Sequence, residues 1–129
     1  MNETLHVGLD VGSTTVKIIV MDKNKNTLYK NYQRHFSDTK NTVCKVLEDL
    51  LIKYPLNSFT LALTGSGAMS AAKFLGVDFI QEVVSCKRAV EKYIPKTDVV
   101  IELGGEDAKI IYFDQSIEQR MNGTCAGGT

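Results

Sequence analysis

The chain opens with apolar and polar positions that alternate with a period of two. Residues 5–10, Leu5-His6-Val7-Gly8-Leu9-Asp10, read as a strand in which His6 sits between apolar neighbours and the last residue is an acid. Residues 15–21 are β-branched and apolar and form a second strand, joined to the first by the turn Val11-Gly12-Ser13-Thr14. The polar turn Asp22-Lys23-Asn24-Lys25-Asn26 leads to a third strand over residues 27–35, where Leu28, Tyr29, Tyr32 and the following Phe36 lie among polar residues. Three consecutive strands on tight turns predict an antiparallel meander.

The period then lengthens. Val43, Val46, Leu47, Leu50 and Leu51 recur at helical spacing, with Ser37 or Asp38 as the N-cap and Pro55 as the stop. Residues 58–64, carrying Phe59, Leu61 and Leu63, predict a fourth strand, followed by Gly65-Ser66-Gly67. A short helix over residues 68–75 ends at Gly76, and a brief fifth strand covers residues 77–81. Residues 82–93 are helical, with Val83, Val84, Ala89 and Val90 on one side, and Pro95 closes them. Then the opening pattern returns. Residues 98–103 form an apolar strand with Glu102 near its end, Gly104-Gly105-Glu106-Asp107 is a glycine turn, and strands follow at residues 108–113 and 115–121.

A repeated strand–acid–glycine turn–strand unit predicts two related half-domains. The first is expected over residues 1–95, and the second begins at 96 and is cut short at 129. The glycine-rich end, residues 122–129, lacks a docking strand or helix, so the chain is expected to be a truncated piece of a longer protein.

The 129 residues are 43% apolar and 23% charged, ordinary for a soluble domain with one core. Fifteen basic and fifteen acidic side chains cancel, and no stretch is strongly basic, which excludes the electrostatic footprint of a nucleic-acid binder. No apolar run approaches the roughly 20 residues of a membrane span, and no signal peptide is visible. Three cysteines without an export signal predict a reducing, cytoplasmic setting.

The two glycine turns carry the candidate chemistry. Gly12 can adopt positive φ and lets a ligand approach the backbone closely. Ser13, Thr14 and Thr15 offer hydroxyls, and the turn offers N–H groups, a donor set that suits phosphate as well as it suits a plain hairpin. Asp10 has the wrong charge for phosphate and fits a hydrated Mg²⁺ that bridges to it. Two such hairpins facing each other would grip a polyphosphate, while the acids hold a metal and orient a water, as phosphoryl transfer requires. No Walker A loop and no dinucleotide fingerprint occurs.

Other residues carry weaker signals. Lys17 and Lys109 read as phosphate neighbours or solvated edge charges. Cys44 and Cys86 read as small buried hydrophobes, too far apart for a zinc pattern. His6 and His35 read as structural or exposed. Gly65-Ser66-Gly67 reads as a strand-to-helix turn or as an anion site on a helix N-terminus.

Asp10-Val11-Gly12-Ser13-Thr14 and Ile101-Glu102-Leu103-Gly104-Gly105 resemble the two phosphate motifs of the actin, sugar kinase and Hsp70 superfamily. Within it, three stretches in order resemble the BadF/BadG/BcrA/BcrD-type ATPase activators of 2-hydroxyacyl-CoA dehydratases and benzoyl-CoA reductases. These are Gly8-Leu9-Asp10-Val11-Gly12-Ser13-Thr14-Thr15-Val16-Lys17, Gly104-Gly105-Glu106-Asp107-Ala108-Lys109, and Met121-Asn122-Gly123-Thr124-Cys125-Ala126-Gly127-Gly128-Thr129.

The resemblance implies an α/β, ribonuclease H-like half-domain: a mixed five-stranded sheet with antiparallel first three strands, flanking helices, and the first strands of a second similar half. It implies an ATP-hydrolysing activator that carries a [4Fe–4S] cluster at a homodimer interface. The activator takes electrons from ferredoxin or flavodoxin and passes them to a dehydratase or reductase in anaerobic metabolism. Carried over by position, Asp10, Glu102, Glu106 and Asp107 are its catalytic acids. Gly12, Ser13, Thr14, Thr15, Lys17, Gly104, Gly105 and Lys109 hold ATP, Asp10 holds Mg²⁺ through water, and Cys125 is the first cluster ligand. Two chains giving Cys125 alone supply two of four thiolates, so the cluster is complete only with residues beyond Thr129, and the 129 residues are expected to turn over weakly or not at all. Thr64-Gly65-Ser66-Gly67-Ala68 stands where the family commonly has Thr-Gly-Tyr-Gly-Arg, Glu102 where aspartate is common, and Glu106 where glutamine is common. The alternatives are a small-molecule kinase of the same superfamily and a non-catalytic nucleotide-binding or regulatory domain.

Overall fold

The computed structural model describes residues 2–104, 108–113 and 118–122. The elements are β1 (Thr4–Val11), β2 (Thr15–Met21), β3 (Thr27–Arg34), α1 (Thr39–Lys53), β4 (Ser58–Thr64), α2 (Met69–Leu75), β5 (Asp78–Phe79), α3 (Glu82–Tyr93), β6 (Val99–Leu103), β7 (Ala108–Tyr112) and β8 (Glu118–Asn122). They gather into two compact units, Met1–Ile80 and Gln81–Thr129.

The first unit is a five-stranded mixed sheet in the order β3-β2-β1-β4-β5. β1, β2 and β3 pair antiparallel, as their alternation predicts, whereas β4 joins β1 in parallel and β5 joins β4 in parallel. Leu5, Val7, Leu9 and Val11 of β1 and Val16, Ile18 and Val20 of β2 share the buried face. Val43, Val46 and Leu50 of α1, Leu63 of β4 and Ala72 of α2 complete this core. Each fully buried aliphatic side chain contributes about 1.5–3 kcal/mol, so this cluster secures β1 at the centre of the sheet. Asp10 lies in the same strand with opposite alternation, part-exposed beyond the core face.

Local signals mostly act as read. Gly76 adopts left-handed φ 66° at the end of α2, and Val77 N–H reaches back to Ala72 O at 3.1 Å, a Schellman closure. The β2–β3 turn is held by the Asp22 carboxylate, which accepts from the N–H groups of Asn24 and Asn26. The Asn26 backbone bond, foremost among these, keeps that carboxyl below its usual 3.8.

Two expectations need correcting. Asp38 does sit at the N-cap of α1, but its side chain makes no capping bond; its carboxylate accepts instead from Asn41 Nδ2 at 3.0 Å. Cys44 is exposed, because the buried stripe of α1 runs through 43, 46 and 50 and position 44 points about 100° away from it. On α3 no residue is fully buried: Val83 and Val90 are half-buried and Val84 is 39% exposed.

The second unit contains α3 and an antiparallel sheet in the order β6-β7-β8. Its β6–β7 hairpin repeats the β1–β2 hairpin in register. Asp10 pairs across the ladder with Lys17, and Glu102 pairs with Lys109.

Candidate functional site

The first turn lies at the carboxyl end of β1. Gly12 N–H donates to Thr15 O at 2.9 Å and closes it. Gly12 does not take positive φ, and a Cβ placed on it would meet nothing nearer than Thr15 O at 3.6 Å. The N–H groups of Ser13 and Thr14 have no partner among the described residues. Thr15 is buried, so its side chain belongs to the wall of the turn. Lys17 Nζ donates to Asp10 Oδ2 at 3.3 Å, with side chains 45% and 38% exposed. This leaves two unpaired backbone donors beside a half-exposed carboxylate and its lysine. Such a set can accept an anionic oxygen at the N–H groups and a hydrated divalent cation at Asp10.

The loop after β4 braces this turn. Gly65 has φ 106°, and a Cβ there would stand 2.3 Å from Val11 O and 2.7 Å from Asp10 Oδ1. Gly67 N–H donates to Val11 O at 2.8 Å. Only glycine lets the loop pass this close. The preceding Thr64 pairs in register with Asp10, and its buried Oγ1 has no partner.

His35, read from sequence as structural or exposed, is buried against the same turn. Its Nε2 lies 3.0 Å from Gly12 O, and its backbone N–H donates to Thr14 O at 3.1 Å. The signal was available in the meander: if Thr15 faces Arg34, the next residue falls beside residues 12–14.

At the second hairpin, Lys109 is 3% exposed and donates to the Glu82 carboxylate at the start of α3, while Glu102 Oε1 lies 4.0 Å away. Glu82 was not singled out from sequence, since a first-turn glutamate reads as a dipole complement. Cys86, one turn further along α3, has its thiol pushed up by burial and then by the Glu102 charge, with Lys109 pulling the other way. Gly104 is exposed. Gly105, Glu106, Asp107 and Cys125 lie outside the described residues.

A [4Fe–4S] cluster takes four thiolates. The described cysteines are Cys44 and Cys86, one in each unit, and no group of three or more His, Cys, Asp or Glu gathers among the described residues. The described residues alone do not supply that set of ligands. No helix among them is long and apolar enough to cross a membrane.

A β1–β2 phosphate-type turn on a sheet of order β3-β2-β1-β4-β5 defines an actin-like ATPase half-domain. The chain belongs to the BadF/BadG/BcrA/BcrD ATPase family, which matches residues 7–129. It is 32% identical over 129 residues to the (R)-2-hydroxyglutaryl-CoA dehydratase activating ATPase of Acidaminococcus fermentans, covering 95% of this chain and 48% of that protein. The activator of the 2-hydroxyisocaproyl-CoA dehydratase from Clostridium difficile, solved with bound ADPNP, superposes with a TM-score of 0.78 at 28% identity, over 97% of this chain and 48% of that one. Component A of the Acidaminococcus fermentans (R)-2-hydroxyglutaryl-CoA dehydratase shares the fold, with a TM-score of 0.81 at 22% identity over 98% and 50% of the two chains. The chain thus spans about half the length of the relatives it matches.

Proposed function

We propose that the chain is the first phosphate-binding part of an ATP-dependent activator of a 2-hydroxyacyl-CoA dehydratase or related reductase. The observation that carries this is the turn at residues 12–15. Its Ser13 and Thr14 N–H groups have no partner among the described residues, and Asp10 stands beside them in a chain of this ATPase family. Ser13 and Thr14 receive phosphate oxygens on their N–H groups, and Gly12 keeps the approach open. Asp10 holds Mg²⁺ through water, and Lys17 follows the phosphate charge once the metal takes its carboxylate. Mg²⁺ suits one carboxylate plus phosphate and water better than an all-protein cage. Gly104, Gly105 and Lys109, with Glu102, Glu106 and Asp107 as acids, form the second phosphate motif. Positioning and charge neutralisation are what phosphoryl transfer to water needs from such residues. In the finer form of the proposal, Cys125 would be a ligand of a [4Fe–4S] cluster shared by two cytoplasmic subunits, with ferredoxin or flavodoxin as electron donor and the dehydratase as acceptor.

Titration calorimetry with Mg·ADPNP tests the nucleotide part. The wild-type chain should bind in a magnesium-dependent way, and Asp10→Ala should lose that dependence. Identical isotherms for the two proteins would remove Asp10 from the site. Anaerobic reconstitution with iron and sulfide of a chain as long as the relatives, read by visible absorption, tests Cys125. Unchanged absorption on going to Cys125→Ser would remove the cluster assignment.

A further inference from the structure

His35, the residue that follows β3, reaches the phosphate turn with both its ring and its backbone N–H. It is 6% exposed and makes four hydrogen bonds, two through the ring and two through its backbone, to Thr14 O and from Asp38 N–H. Gly12 O is a carbonyl and can only accept, so Nε2 carries the hydrogen of the 3.0 Å contact. Ser37 N–H can only donate, so Nδ1 is the bare nitrogen that receives it at 3.1 Å. The two partners together select one neutral tautomer. Receiving Ser37 N–H requires an unusual backbone: Phe36 has φ 48° and Ser37 φ 64°, consecutive non-glycine residues in the left-handed region. Phe36 is 80% exposed, so burial of its side chain does not offset that strain. Strain of this kind persists where surrounding bonds over-determine it, and it gathers at functional sites.

The direction of the ring bond matters. In a planar trans peptide, the C=O of one residue and the N–H of the next point opposite ways. Tying Gly12 O to the ring therefore turns Ser13 N–H away from His35, on the far side of the turn.

We infer that His35 is a positioning residue of the phosphate turn: its Nε2–H, by holding Gly12 O, aims the Ser13 N–H at an incoming phosphate oxygen. This rests on the reading that the turn at residues 12–15 binds nucleotide phosphate.

Two near-isosteric variants separate the ring's two bonds. In His35→Gln the side-chain amide nitrogen can stand where Nε2 stood, so the bond to Gly12 O is kept and the acceptor for Ser37 is lost. In His35→Asn the amide oxygen can stand where Nδ1 stood, so Ser37 stays bonded and Gly12 O loses its donor. Each variant loses one ring bond, so both should shift the urea midpoint by similar amounts. Mg·ADPNP affinity should separate them: His35→Gln should stay within about twofold of wild type, and His35→Asn should weaken about five- to tenfold, the factor for one lost hydrogen bond. Equal affinity losses in the two variants, following stability, would overturn the inference. Should His35→Asn not fold, a tenfold loss in His35→Gln would overturn it, and near-wild-type binding would support it. Should the wild-type chain bind no Mg·ADPNP, the nucleotide reading falls, and amide NMR of the ligand-free proteins decides His35 separately. A Ser13 amide resonance displaced in His35→Asn and retained in His35→Gln supports the strut, and one unmoved in both refutes it.

Discussion

Replacing Gly65 with alanine adds one methyl group where two strands' ends touch. At φ 106° an alanine is strained before any contact is counted, at about 1–3 kcal/mol. Its Cβ would stand 2.3 Å from Val11 O, a backbone atom of a residue with 0% exposure, so no side-chain rotation relieves the overlap. The loop must back away from β1, and doing so breaks the Gly67 N–H bond to Val11 O, worth about 1 kcal/mol. The whole change should cost about 3–4 kcal/mol, a large share of the roughly 5–15 kcal/mol that stabilises a typical domain. Urea unfolding followed by circular dichroism is the assay. With a slope of roughly 1–3 kcal/mol per molar urea, the midpoint should fall by more than about 1 M. Gly12→Ala is the internal control, since its Cβ meets Thr15 O at an ordinary 3.6 Å and its φ is not left-handed. It should remain within about 0.5 kcal/mol of wild type while weakening Mg·ADPNP. The reasoning fails if Gly65→Ala lies within about 1 kcal/mol of wild type, or if the two alanines cost the same.

Glu82→Gln should destabilise the chain by about 1–3 kcal/mol in the same urea assay, because Lys109 is 3% exposed and its ammonium exchanges a charged acceptor for a neutral one. An unchanged midpoint would mean the pair contributes nothing. Lys17→Met should move stability by no more than about 1 kcal/mol, since its ion pair with Asp10 is half-exposed, yet should weaken Mg·ADPNP by calorimetry; unaltered affinity would exclude Lys17 from the site. Cys86 should alkylate more slowly than exposed Cys44 at pH 8, by peptide mapping after iodoacetamide, and Glu102→Gln should speed it, because burial and then the Glu102 charge hold its thiol above the ordinary 9.0. The sign for stability is that folding retains this proton, so the linked contribution is complete below about pH 9 and fades as pH rises through the folded value. Equal labelling rates at the two cysteines would refute the assignment.

Periodicity placed the strands well because β1 and β2 keep one face buried, and a one-residue slip would expose Leu5, Val7 and Leu9 together. Gly76 and the two prolines punctuated the helices for local steric reasons that need no tertiary information. The brace behind the turn was less legible. Gly12, in the motif, looked like the conformationally special glycine, whereas the special φ belongs to Gly65, which depends on how closely β4 follows β1. Cys44 has apolar neighbours in sequence, but its angular position on α1 separates it from the buried stripe at 43, 46 and 50. Glu82 carries no local sign of its bond to Lys109, because 27 residues separate the two.

The two hairpins share more than their outline. Each places an acid seven residues before a lysine, and each brings the two face to face across the ladder, Asp10 with Lys17 and Glu102 with Lys109. Their surroundings then separate them. The first pair has solvent around both partners, so replacing one by a metal or a phosphate costs about what an exposed ion pair is worth, at most about 1 kcal/mol. In the second, the lysine is buried and bonded to a further carboxylate from α3, so moving its ammonium toward a ligand would leave Glu82 without that donor. Glu102, at 4.0 Å and 40% exposed, is the looser partner there. The same unit thus yields a half-exposed cation and acid in the first hairpin, and a buried cation beside a half-exposed acid in the second. Within the proposed ATPase, this difference favours Lys17 over Lys109 as the lysine that follows phosphate, and among the described residues Glu102 is the acid of the second hairpin with solvent beside it.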